Sequence, residues 1–290
     1  MCDEFIHPGL VEDPRVSRRT FGLIAGAAAM SAAGGALAKT AVVERDVEVK
    51  TPDGSCDAVL FCPDKPGKWP AVLIWTDILG LRPVFRDMGH KLAAQGYVVL
   101  APNPFYRSKH APLFEGPVDF DKADQSQRNL LFGLAGTLTP QAVTADSKAY
   151  LAFLDAQPQT DTSKKAGVQG YCLGGLFSIR TAAAAPNRIA AVAMFHAGNT
   201  IATDKPDSPH LLIPQTRAAY LIGQAQNDDA QQPQIKETLK AAFAAAGRPA
   251  TVEVYPANHG WCVKGNGTYD EPSAERAWTE LFKLYETTLL

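Results

Sequence analysis

The order of apolar runs along the chain predicts an α/β protein with a mostly parallel central sheet and helices on both faces. Two observations carry this expectation. Short continuous apolar segments, Ala71-Val72-Leu73-Ile74-Trp75 and Tyr97-Val98-Val99-Leu100-Ala101, read as strands buried on both sides. Longer segments with helical spacing, such as 84–95 and 140–157, lie between such runs, so strands and helices alternate. With 290 residues, 46% of them hydrophobic, the chain is long enough for a large core and lies in the upper range for one domain. No repeat or low-complexity linker divides its body.

The first 38 residues read differently from the rest. Ser17-Arg18-Arg19-Thr20-Phe21-Gly22-Leu23 is a twin-arginine pattern, a Gly/Ala-rich apolar stretch runs over 22–35, and Ala36-Leu37-Ala38 supplies a small-residue cleavage site. Together they predict an export signal over 1–38, read by the Tat translocase, and a folded domain over 39–290 placed in the periplasm or otherwise exported. The apolar stretch is too short and too weakly hydrophobic to span a bilayer, so no stable membrane anchor is expected. A formal charge of −2 and the lack of any Lys/Arg block argue against nucleic acid as a partner. Export sets Cys56, Cys62, Cys172 and Cys262 in an oxidising compartment. Cys56 and Cys62 share one extended segment and cannot easily bridge each other; these two and Cys262 read as buried free thiols, and the sequence leaves open a bridge from Cys56 or Cys62 to Cys262.

Residues 42–50 and 57–62 alternate as strands around Pro52-Asp53-Gly54, a hairpin signature. After a loop over 63–70 come the 71–75 strand, a helix over 84–95 stopped by Gly96, and the 97–101 strand. A polar, proline-containing stretch fills 102–138, and a helix follows over 140–157. Strands are then expected at 165–169, 189–195, 217–223 and 250–255, with helices from 176, over 233–246 and over 272–287.

The most informative segment is Gly170-Tyr171-Cys172-Leu173-Gly174-Gly175. A strand leads into it and a helix leaves it, the order of a nucleophile elbow with cysteine at the apex. Small residues are needed at 170 and 174 because the turn is strained and closely packed. A side chain at the apex sits at the positive end of the following helix, where a thiolate is stabilised. Such an elbow calls for an acid and then a histidine after later strands. Asp228 and Asp229 follow the 217–223 strand, and His259 follows the 250–255 strand. Counting from the strand selects Asp228 and counting back from Pro233 selects Asp229. Elsewhere, His196 ends a strand and reads as a structural histidine satisfied by backbone. No Cys or His pair has metal-ligand spacing and no glycine loop has phosphate-cradling spacing, so neither metal nor cofactor is expected.

Over residues 45–288 the chain resembles the dienelactone hydrolase family, the cysteine branch of the α/β-hydrolase fold. Four motifs carry the resemblance: the cysteine elbow, Thr76-Asp77-Ile78-Leu79-Gly80, Ala101-Pro102-Asn103-Pro104-Phe105-Tyr106-Arg107, and His259-Gly260-Trp261 followed by Tyr269-Asp270 and Trp278. It implies a hydrolase of a lactone or small carboxylic ester, with Cys172 as nucleophile, His259 as general base and Asp228 as the orienting acid. The amides of Leu173 and Ile78 would hold the oxyanion. Asp77, Arg107 and Trp261 would face the substrate. Asp77 stands where the family has a glutamate that holds the resting thiol, and it is one methylene shorter. Arg107 matches one of two arginines that bind a substrate carboxylate; the second is missing, and Lys264 is the nearest cation. That loss favours a thioester or alkyl ester as an alternative substrate. A binding protein of the same fold without turnover is the reading from another class.

Overall fold

In the computed structural model, which describes residues 41–290 except Pro117, eight strands form one sheet in the order β1-β2-β4-β3-β5-β6-β7-β8. The predicted export signal lies outside the described residues. Strands β1 (Val42–Thr51) and β2 (Gly54–Pro63) form the expected antiparallel hairpin, closed by the pairing of Thr51 with Gly54. Strand β4 (Val98–Pro102) is antiparallel to β2. Beyond it, β3 (Ala71–Trp75), β5 (Ala166–Tyr171), β6 (Ile189–Phe195), β7 (Ala219–Ala225) and β8 (Ala250–Tyr255) all pair in parallel. This is the mostly parallel α/β architecture of the α/β hydrolases.

Every residue of β3, β4 and β5 is buried, because helices cover both faces of the central strands. The strand period of two sorts their side chains into two cores. Leu73 and Trp75 join one core with Tyr150, Ile179 and Phe243, from helices α3 (Pro140–Asp155), α4 (Leu173–Ala184) and α6 (Gln234–Ala246). Val72 and Ile74 join the other with Phe85, Leu92 and Leu281, from α1 (Pro83–Ala93) and α7 (Glu271–Leu289). Gln169, the one polar residue inside β5, is fully buried; its amide donates to the Tyr171 hydroxyl at 2.7 Å, and its carbonyl oxygen accepts from Tyr285 at 3.0 Å.

The 102–138 stretch holds more structure than its composition predicts. A 3₁₀ turn spans Phe120–Lys122, and helix α2 spans Gln125–Gly136. Asp124 accepts the Gln127 amide at 2.8 Å, and the Gln127 side chain accepts the Asp124 amide at 3.0 Å. This reciprocal capping box starts the helix. Leu131 and Leu134 are buried while Leu130 and Phe132 are exposed, so α2 lacks the clean apolar stripe that betrays a helix in sequence.

Candidate active site

Strand β5 ends at Tyr171 and α4 starts at Leu173, so the whole reversal falls on Cys172. Its φ of 51° and ψ of −119° lie in a region that L-residues rarely adopt. The backbone is tied down around it: the Cys172 amide donates to the Phe195 carbonyl at 3.0 Å, and the Gly175 amide donates to the Cys172 carbonyl at 3.0 Å. The glycines are there for space. A Cβ on Gly170 would stand 2.1 Å from the Gly174 carbonyl oxygen, and one on Gly174 would stand 2.3 Å from that of Thr76. These contacts let α4 press against β3 and β5, and Cys172 remains a free, partly exposed thiol.

The acid and the histidine arrive from the next two parallel turns. Asp228 lies in the short helix α5 (Gln226–Gln231), which begins directly after β7. The Gln226 amide donates to the Ala257 carbonyl at 2.9 Å and so ties the ends of β7 and β8 together. The His259 amide donates to Asn227 Oδ1 at 2.8 Å, and its Nδ1 lies 2.7 Å from Asp228 Oδ2. Asp229 points elsewhere and pairs with Lys236 at 2.7 Å. Burial of the imidazole alone would lower its pKa. The hydrogen bond it donates to the Asp228 carboxylate and the nearness of Cys172 outweigh that and raise it from the usual 6.5 to about 10. The structure therefore hydrogen-bonds His259 to Asp228 and sets Cys172 in the same cavity as His259.

A cavity of about 290 Å³ opens over this group, lined by Cys172, His259, His196, Ile78 and Asp77, and by Phe120 and Phe132 from the 102–138 segment. That segment thus forms one wall of the cavity. Leu173 is the first residue of α4, so its N–H has no partner within the helix. Ile78 sits opposite in the loop after β3.

Two expected substrate residues are elsewhere. Arg107 does not line the cavity; its guanidinium bonds Asp146 at 2.8 Å through two nitrogens and Asp53 at 2.6 Å. A motif match locates a residue along the chain, and here two carboxylates decide where its side chain goes. Trp261 is 0% exposed and stacks on Tyr255 with ring centroids 4.3 Å apart, behind the site. Asp77 does line the cavity but is held by Arg82 in a two-pronged pair at 2.6 and 2.7 Å, and it accepts the Leu79 amide at 3.0 Å. It shapes the loop after β3. The four cysteines among the described residues are free, and Cys56, Cys62 and Cys262 are buried.

From the sequence, His196 reads as a structural residue satisfied by backbone. It ends β6 at a φ of 39° and is fully buried. Its amide donates to the Gly223 carbonyl at 2.7 Å, yet neither ring nitrogen is hydrogen-bonded to another residue.

A parallel sheet with a cysteine elbow after β5, an acid after β7 and a histidine after β8 defines a hydrolase of the α/β-hydrolase class. The dienelactone hydrolase family profile matches residues 56–289, and the chain belongs to that family. It is 32% identical over 117 residues to the carboxymethylenebutenolidase of Pseudomonas sp. (strain P51), covering 40% of this chain and 46% of that protein. To the carboxymethylenebutenolidase of Rhodococcus opacus it is 24% identical over 244 residues, 83% of this chain and 90% of the relative. In fold it matches the dienelactone hydrolase-like promiscuous phosphotriesterase P91 from metagenomic libraries, with a TM-score of 0.71, 20% identity, and 86% and 100% of the two chains covered.

Proposed function

We propose that this enzyme cleaves a lactone or small carboxylic ester through an acyl-thioenzyme on Cys172. The observation that supports it most is the His259 ring, 2.7 Å from Asp228 on one side and facing the cavity that also holds Cys172. The raised His259 pKa favours an imidazolium in the cavity of the sulfur at neutral pH. The sulfur adds to the carbonyl carbon, and the oxyanion accepts hydrogen bonds from the Leu173 and Ile78 amides. Collapse breaks the ester C–O bond as His259 gives its proton to the departing oxygen. Water then adds to the thioester while His259 takes one of its protons, and the acid leaves with the thiolate restored. Asp228 keeps the ring oriented through both halves.

Substrate charge follows from the lining. Asp77 is balanced by Arg82 and Asp119 by Lys122, Asp121 adds a third carboxylate, and no lysine or arginine is among the residues lining this cavity. With Arg107 engaged by Asp146 and Asp53, an uncharged ester suits the site better than a carboxylate-bearing dienelactone. A thioester or alkyl ester fits the same reasoning. The twin-arginine pattern at 17–23 is the ground for proposing that the enzyme works after Tat export, in the periplasm.

The test is burst release of p-nitrophenol from an activated ester. It is expected to be stoichiometric with enzyme, blocked by iodoacetamide, and lost in Cys172→Ala. Hydrolysis unchanged in that variant overturns the proposal, and absence of turnover on every ester and lactone leaves the binding-protein reading.

A further inference from the structure

His196 is unusual on two independent counts. Its backbone φ of 39° is left-handed, a conformation that costs free energy for any residue with a Cβ. Its imidazole is fully buried, with neither Nδ1 nor Nε2 hydrogen-bonded to another residue, whereas buried polar groups are nearly always paired. The ring is packed edge-to-face against His259, centroids 5.0 Å apart, and lies 6.0 Å from Trp261. Phenylalanine would fill such a place without stranding two polar atoms, so packing does not account for a histidine. His196 is also a wall of the cavity that holds the Cys172 sulfur.

We propose that His196 contacts the substrate: a ring nitrogen hydrogen-bonds a second oxygen carried near the reacting carbonyl, so the enzyme selects lactones and esters that bear a hydroxyl or carbonyl there. The inference rests on hydrolysis taking place at Cys172. Burial and the neighbouring His259 push the His196 pKa well down, so the ring stays neutral and offers one donor and one acceptor. A neutral partner matches an uncharged hydroxyl, and it leaves the charge of the His259 ion pair undisturbed. Because no other residue bonds these nitrogens, a substrate methyl group facing them gains nothing, while a hydroxyl gains a bond in a dry setting.

The test uses isosteric pairs. Rates are compared for γ-butyrolactone carrying a hydroxyl or a methyl group at the α position, and for the matching pair at the β position. For at least one position, kcat/KM is expected to favour the hydroxyl by about tenfold. His196→Phe should bring that ratio close to one. If phenylalanine does not fold at a positive φ, His196→Gly, which that backbone favours, makes the same test. Equal rates within both pairs for the native enzyme overturn the proposal. So does a variant that slows both members of a pair alike, the sign of a structural role. Should neither lactone turn over, binding of the corresponding hydroxy- and methyl-pyrrolidinones to Cys172→Ala, followed by calorimetry, gives the same ratio. Failure of the nucleophile reading looks different, since it shows as turnover that survives in Cys172→Ala.

Discussion

Replacing Arg107 with alanine removes a guanidinium that bonds both oxygens of Asp146, each at 2.8 Å. The Asp146 side chain is 0% exposed and that of Arg107 is 16% exposed, so the variant leaves a buried carboxylate with one remaining side-chain donor, the Tyr106 hydroxyl at 2.9 Å. Breaking a buried pair from one side costs about 3–5 kcal/mol. The surviving Tyr106 bond puts the expected cost near the lower end, about 3 kcal/mol. Loss of the contact to Asp53, which is 49% exposed, adds little. For a domain of this size that corresponds to a melting temperature lower by about 6–12 °C. Scanning calorimetry measures it, and kinetics on a matched anionic and neutral ester measure selectivity. The ratio of kcat/KM for the two esters should not move. Arg107→Ala combined with Asp146→Asn, which leaves no buried charge, should be more stable than Arg107→Ala alone. A melting temperature within about 1 °C of the native value, together with a selective rise in KM for the anionic ester, would refute the reasoning and return Arg107 to the substrate.

Asp228→Asn should lower kcat by about 10²- to 10⁴-fold while Asp229→Asn, which only breaks the pair with Lys236, keeps turnover; single-turnover rates of the two variants check this. Gly174→Ala forces a Cβ to within 2.3 Å of the Thr76 carbonyl oxygen and 2.6 Å of that of Trp75, so the variant should lose about 3 kcal/mol or more in denaturant titration, or fail to fold. The folded-state pKa of His259, about 10, lies above the usual 6.5. Its interactions therefore contribute stability that is complete below about pH 6.5 and lost as the pH rises through about 10. Denaturant midpoints should fall more steeply across that window for the native enzyme than for Asp228→Asn.

The sheet was legible because central parallel strands must be apolar on both faces, and β3 and β4 carry that requirement in plain view. The elbow was legible for a steric reason: only glycine fits at 170 and 174. The acid was left open between two neighbours because α5 begins before both, and successive helical residues point about 100° apart. A lysine seven residues on, Lys236, claims Asp229. Arg107 and Trp261 show the limit of motif matching, since Asp146, 39 residues along the chain, and the ring of Tyr255 decide which way those side chains face. Helix α2 was hidden by its mixed surface, although Asp124 and Gln127 at capping-box spacing were the available signal. His196 was read through its backbone bond. Its unpaired ring becomes visible only when the cavity is in place.

The central claim is a covalent bond between Cys172 and the acyl group, and intact and peptide mass analysis after rapid acid quench of enzyme mixed with p-nitrophenyl butyrate tests it most directly. The account predicts a butyryl adduct on the peptide that contains Cys172, accumulating to a higher level in variants of His259 or Asp228 that slow deacylation more than acylation. Hydrolysis that proceeds with Cys172 unmodified, or an adduct mapped to another residue, would contradict it.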